Sequence, residues 1–160
     1  MKANYKTNAM RILDSKKIPY TPHQYSGDDG AIDGISIAKK IGMPNEKVFK
    51  TLVTQAPSKQ YYVFVIPVAE ELDLKAAVKA VGEKAVEMIK VADINKVTGY
   101  IRGGCSPIGM KKFFKTVVHT SAQELDTFFV SAGKIGYQLE LSLDALAQAI
   151  EFDVCDIIHH

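Results

Sequence analysis

Two apolar runs, Val48–Thr54 and Tyr61–Val68, joined by the turn-forming Ala56-Pro57-Ser58, do most to restrict what this chain can fold into. Both are rich in β-branched and aromatic residues and are bounded by turn signals, so each predicts a strand. Alternation in the first run puts Val48, Lys50 and Leu52 on one face and Phe49 and Val53 on the other. Both faces of this strand are therefore largely apolar, and a lysine sits on one of them.

Helical patterns surround this pair. Asn8–Lys17 carries Met10, Ile12 and Leu13 and reads as an opening amphipathic helix capped by Asn8, ended by Pro19 and Pro22. An extended stretch around His23 and Tyr25 leads into a polar loop over Tyr25–Gly34, followed by a short helix over Ile35–Ile41, closed by Gly42 and Pro44. Asp73 caps a helix carrying Leu74, Ala77, Val78 and Val81, with Gly82 at its end, and a shorter helix runs from Asp93 to just before Gly99. Further strands are predicted at Thr116–His119, Thr127–Val130 and Gln138–Leu141, the last two flanking a Gly133/Gly136 turn, before a final helix capped by Ser142. This order is neither a regular βαβ alternation nor a run of strands alone. It predicts an α+β fold in which helices pack around a mixed sheet.

A length of 160 residues favours one domain, spanning 1–160, with no internal repeat or composition break. No apolar run approaches the roughly 20 residues needed to cross a bilayer, and MKANYKTNAMRIL lacks the apolar stretch of a secretory signal, so a cytoplasmic location is expected. Cys105 and Cys155 form no CxxC pair, and a disulfide is disfavoured in a reducing compartment. His23, His119, His159 and His160 lack zinc-ligand spacing, so neither metal nor cofactor is expected, and the final His-His reads equally well as an expression remnant. A net charge of +2 argues against strong DNA binding, which rests on many phosphate contacts, but is compatible with transient tRNA contact through clustered lysines.

Lys50 either reaches water along an apolar surface or lines a pocket, where desolvation would lower its pKa. The loop Gly103-Gly104-Cys105-Ser106-Pro107-Ile108-Gly109 lets backbone amides and carbonyls approach a ligand. It is neither a P-loop, since no Gly-Lys-Ser/Thr follows, nor a dinucleotide fingerprint, since Pro107 interrupts it; a plain tight turn is the competing reading. Cys105 with His119 as base would make a nucleophile, against which stands the commoner case of a small buried cysteine. Lys111, Lys112 and Lys115, interleaved with Phe113 and Phe114, form a basic cluster suited to RNA phosphates or to a solvated face. Ser131-Ala132-Gly133-Lys134-Ile135-Gly136 reads as a hairpin turn, and as a second ligand-facing loop if it lies beside the first.

Taken in order, these segments resemble the YbaK/EbsC family of Cys-tRNA deacylases. The matching pieces are Phe49-Lys50-Thr51-Leu52, Thr98-Gly99-Tyr100, the Gly103-Gly104-x-Ser106-Pro107-x-Gly109 loop with Lys111-Lys112, and Ser131-x-Gly133-Lys134-x-Gly136. Ile18-Pro19-Tyr20 and Val86-Glu87-Met88 extend the match over nearly the whole chain.

The resemblance implies a barrel-like mixed sheet surrounded by helices, shared with the editing domain of bacterial prolyl-tRNA synthetases. It also implies removal of cysteine from mischarged Cys-tRNA(Pro) and, for some members, Cys-tRNA(Cys). Its implied partners are aminoacyl-tRNA and prolyl-tRNA synthetase, with neither membrane nor DNA. In the implied chemistry the substrate's own thiol attacks the ester, and the enzyme contributes positioning and electrostatics. Lys50, Tyr25 and the Gly103 backbone take the catalytic roles, with Gly104, Ser106, Pro107, Gly109, Ser131, Gly133 and Lys134 binding substrate. Two departures stand out: Ile135 where a second basic residue is expected after Lys134, and Cys105 where relatives can carry an aliphatic residue, which speaks against Cys105 as nucleophile. The alternatives are an Ala-tRNA(Pro) deacylase, a hydrolase built on Cys105 and His119, and a non-catalytic binder of tRNA or synthetase.

Overall fold

The computed structural model describes residues 5–160, so the start of the N-terminal stretch read above lies outside the described residues. The two apolar runs form β2 (Phe49–Gln55) and β3 (Tyr61–Pro67), paired antiparallel with Lys50 opposite Ile66. Three further strands extend this pair into a mixed sheet. A short β4 (Glu87–Met88) flanks β2, while β5 (Lys115–His119) runs parallel to β3 and β8 (Asp153–Cys155) parallel to β5. A second, antiparallel sheet has β7 (Tyr137–Leu141) between β1 (Thr21–Gln24) and β6 (Phe128–Ser131).

The apolar faces of β2 and β3 account for two core clusters. Phe49, Val53, Val63 and Val65 pack against Phe128, Val130 and Leu139 of the second sheet and against Met10 and Leu13 of α1 (Asn8–Ser15). On the other face Phe64 and Ile66 meet Ala77 and Val81 of α3 (Leu74–Val81) and Ile157. The Phe49 and Phe128 rings stand 4.9 Å apart and both are buried. Truncating a ring like Phe128 to alanine costs about 3–5 kcal/mol, enough to threaten a domain of this size.

Helices surround a mixed sheet, as the element order led us to expect, but the strands do not close into a continuous barrel. Among the described residues the two sheets meet at a single parallel bridge, Val48 with Phe129. Beyond it each ends in an edge that cannot carry the ladder round. β1 contains Pro22, which lacks an N–H, and β4 is two residues long.

The predicted caps Asp73 and Ser142 stand, the helix after the polar loop starts at a cap not expected above, and the opening helix starts at a different one. Asp33 caps α2 (Gly34–Lys40), Asp73 caps α3, and Ser142 caps α5 (Leu143–Ala149); α4 (Ile94–Thr98) ends at Gly99. The opening helix is capped by Thr7 rather than Asn8, because Thr7 Oγ1 accepts from the Met10 amide at 3.1 Å. Asn8 instead directs its amide to the Gly109 carbonyl. No helix among the described residues is long and apolar enough to cross a membrane.

Candidate active site

Past the Val48–Phe129 bridge, β2 carries Lys50 and Thr51 while β6 ends at Ser131, and a cavity of about 680 Å³ opens between the two sheets. Lys50, Thr51, Gly103, Cys105, Ser131 and Gln138 all line it, with Arg102 and the α2 segment around Asp33 and Ile35 at its border. The lysine in the apolar strand therefore lines a pocket. Burial pushes its ammonium below the ordinary lysine value, with Glu71 and Glu70 pulling more weakly the other way.

The glycine loop supplies the facing wall. It is tied into the fold at its far end by Tyr100, whose hydroxyl donates to the Ile108 carbonyl at 2.5 Å. Within the loop, the Ser106 hydroxyl accepts from the Ile108 amide at 3.2 Å. Ser106 and Pro107 are buried and Gly109 lies against Tyr100, so these three shape the loop from inside rather than face the cavity. Gly103 has φ +85°, which favours glycine, and a Cβ there would stand 2.6 Å from Ile32 Cδ1, so the end of the Ile32 side chain would have to shift. A Cβ on Gly104 would lie 3.0 Å from the Ile135 amide nitrogen, which places the late turn directly beside the first loop.

Of the expected site residues, Lys50, Gly103 and Ser131 come together in one cavity. Gly133 and Lys134 belong to the adjoining turn; Lys134 is exposed, its Nζ 5.7 Å over the Tyr5 ring. Tyr25 lies just beyond β1, its amide donating to the Gly136 carbonyl at 2.9 Å. Burial raises the Tyr25 phenol, opposed by the Gly136 backbone and Lys40.

Cys105 and His119 fall into different cavities. Burial pushes the Cys105 thiol up to about 11, whereas His119 lines a smaller cleft with Glu70 and Ser121 and accepts the Ile157 amide on Nδ1. At neutral pH a thiol of that pKa is ionised on the order of once in 10⁴ molecules. The pair has neither the proximity nor the ionisation of a nucleophile and its base.

Two polar groups in the cavity carry no signal of their own in the sequence. Gln138 is 3% exposed, and its Oε1 has no hydrogen-bond partner among the described residues; Thr51 Oγ1 is buried and likewise without one there. Such orphaned acceptors carry a desolvation cost, which a bound donor would relieve. Gln138 shares a strand face with Glu140, which pairs with His23 at 2.9 Å and Thr127 at 2.6 Å. That pattern reads as a solvent face, and only the packing of the two sheets makes Gln138 an inner wall.

A sequence profile described as the aminoacyl-tRNA editing domain matches residues 35–149. The chain belongs to that family. It is 45% identical over 145 residues to EbsC of Enterococcus faecalis, provisionally named a Cys-tRNA(Pro)/Cys-tRNA(Cys) deacylase, covering 91% of this chain and 88% of that one. Among solved structures, the hypothetical protein APE2540 superposes with a TM-score of 0.84 at 19% identity, covering 93% of this chain and 97% of the other. A protein provisionally described as a trans-editing enzyme for prolyl-tRNA synthetase superposes with a TM-score of 0.83 at 16% identity, covering 98% of this chain and 100% of the other. The fold of this editing-domain chain is thus that of both proteins, and the matched segment contains Lys50 and both glycine loops.

Proposed function

We propose that this chain is a trans-editing deacylase that clears cysteine from Cys-tRNA(Pro), and that the cavity between its sheets takes the aminoacyl-adenosine end. The observation that carries this is the grouping of Lys50, held desolvated, with the Gly103 backbone and two orphaned acceptors in one cavity. It is a site with a cation and hydrogen-bonding groups but without an activated enzyme nucleophile. The 45% identity to EbsC supports the substrate class.

In this reading the Lys50 ammonium faces the ester and stabilises charge developing on its carbonyl oxygen or on the leaving ribose oxygen. Gln138 Oε1 and Thr51 Oγ1 accept from the α-ammonium of the amino acid, orienting its side chain. The substrate thiol then attacks the carbonyl carbon. A carbon–sulfur bond forms, the bond to the ribose oxygen breaks, and the thiol proton passes to that oxygen, giving free tRNA and a cyclic thiolactone. Holding thiol and ester in attack geometry is the main task, and such positioning is worth several kcal/mol of barrier. Ser131 and the Gly103 backbone border the reacting centre, while Tyr25 stands behind the loop that roofs it. Lys134 and the Lys111–Lys112 pair meet phosphates of the acceptor end in this reading. Selectivity for the tRNA body is weak in the isolated chain and comes from a complex with prolyl-tRNA synthetase.

The test is deacylation of tRNA(Pro) charged with cysteine or with serine, by wild type and Lys50→Ala. Loss of cysteine alone, abolished in the variant, is the expected result. Cleavage of both esters would point to water or an enzyme group as the attacker. Binding without cleavage would leave a tRNA-binding module.

A further inference from the structure

The segment that roofs the cavity, between β1 and α2, has almost no regular structure, yet its course is tightly held. Lys40, the last residue of α2, turns its ammonium back onto it. Nζ donates to the Ser26 carbonyl at 2.6 Å, to Asp29 Oδ1 at 2.8 Å and to the Ala31 carbonyl at 2.8 Å. Those three bonds match the three hydrogens of an ammonium group. The same Nζ lies 5.9 Å from the centre of the Tyr25 ring, where the loop departs from the sheet. The loop's own bonds are few: Asp28 N–H to Ser26 Oγ, Gly30 N–H to the Gly27 carbonyl, Ile32 N–H to the Gly30 carbonyl, and Ala31 N–H to Asp29 Oδ1. No core cluster among the described residues includes a residue of 26–33.

What this loop delivers is Ile32. Its side chain lies over Gly103, close enough that an added Cβ on Gly103 would meet Ile32 Cδ1 at 2.6 Å, and both residues line the cavity. We infer that Lys40 is a positioning residue of the site: by gathering Ser26, Asp29 and Ala31 around one ammonium it presses Ile32 onto Gly103, closing the cavity roof over the backbone that borders the reacting ester. An exposed Lys–Asp pair alone contributes little. The two carbonyls make the difference, because they are fixed points of the chain at either end of the turn and a charged donor binds them more strongly than a neutral one. The positioning role rests on the deacylase reading of the cavity, whereas the anchoring of the loop does not.

The experiment uses the full chain with Lys40→Met, which keeps the aliphatic stem, and Lys40→Arg. Hydrogen exchange is followed across the chain together with kcat and KM for Cys-tRNA(Pro). Expected for Lys40→Met is at least about tenfold faster exchange confined to the amides of Gly30, Ala31 and Ile32. Strands β2 and β3 should be unchanged, and the melting midpoint should move by less than about 3 °C. Alongside this, kcat/KM falls about tenfold, mainly through kcat, because the roof is misplaced while the groups that bind substrate stay intact. Lys40→Arg restores part of both. Exchange and kinetics equal to wild type would overturn the inference, and so would faster exchange with unchanged kinetics. Should Lys40→Met fail to fold, Lys40→Gln keeps a polar end that can reach one acceptor and gives the same pattern at smaller amplitude; wild-type exchange and kinetics there would also overturn it. If wild type itself leaves Cys-tRNA(Pro) intact, the deacylase reading falls, and the exchange comparison still decides whether Lys40 holds the loop.

Discussion

Ile32 and Gly103 fit together with no room for a methyl group between them: a Cβ on the glycine would stand 2.6 Å from Ile32 Cδ1. The contact joins the roof loop to the glycine loop. Gly103→Ala would both add that clash and strain a backbone at φ +85°. The expected outcome is a fall in deacylation of about 10²-fold, since displacements near 1 Å are costly in a positioning enzyme. Steady-state kinetics on Cys-tRNA(Pro) checks it, and Gly103→Ala combined with Ile32→Ala should recover only the part of the loss due to the clash.

Burying Lys50 costs stability, and the pH dependence of that cost has a definite sign. Folding lowers its pKa from the ordinary 10.5, so the native state binds this proton less tightly than the unfolded chain. Below the native pKa the charged lysine destabilises the fold, and the deficit fades as pH rises through the native pKa toward 10.5. Lys50→Met is therefore expected to abolish deacylation and yet raise the melting midpoint at pH 7 by roughly 2 °C or more, the gain shrinking in alkaline buffer. In the wild type, activity should decline on the alkaline side with an apparent pKa below 10.5. A variant less stable than wild type at pH 7 would contradict the desolvation of Lys50.

Gln138 offers its orphaned Oε1 to a donor in the cavity. Gln138→Leu keeps the volume near constant while removing the acceptor. Deacylation efficiency should fall about tenfold, with melting unchanged or slightly raised, because an unsatisfied buried acceptor has been deleted. Equal kcat/KM in the variant would remove Gln138 from the substrate site.

Cys105 should prove dispensable. With its thiol held up to about 11, Cys105→Ala is expected to retain activity within about threefold of wild type, and alkylation of the native protein at neutral pH should be slow. A complete loss of turnover would restore an enzyme nucleophile.

His119 should act on stability rather than turnover. Burial holds its pKa below the ordinary 6.5, with Asp156 opposing, so the unfolded chain takes up this proton first as pH falls. The stability it contributes is full above 6.5 and is lost as pH drops from there through the native pKa. His119→Asn should flatten the fall in melting midpoint below pH 6.5 while leaving deacylation in place.

Much of the fold was legible because it is written in local chemistry. Asp73 and Ser142 at helix starts, Gly82 and Gly99 at helix ends, and the β2–β3 runs all act over a few residues, and each stands where its neighbours dictate. The misses have equally specific causes. Strands β4 and β8 are two and three residues long, too short to show a period, and exist because β2 and β5 offer them ladder partners. Asn8 competes with Thr7 as cap, and only the neighbouring Gly109 carbonyl shows where its amide goes.

The site divides along the same line. By itself the sequence determined that a lysine must lie in an apolar strand and that two glycine-rich loops follow in a fixed order, because period-2 alternation and glycine's backbone freedom are properties of the chain alone. Whether Lys50 snorkels or lines a pocket, whether Cys105 meets His119, whether Gln138 faces water, and where Lys40 turns were decided by tertiary structure. Each depends on what the second sheet and the 26–33 loop bring against it from far along the chain, and burial, desolvation and three-point hydrogen bonding exist only once those surfaces meet.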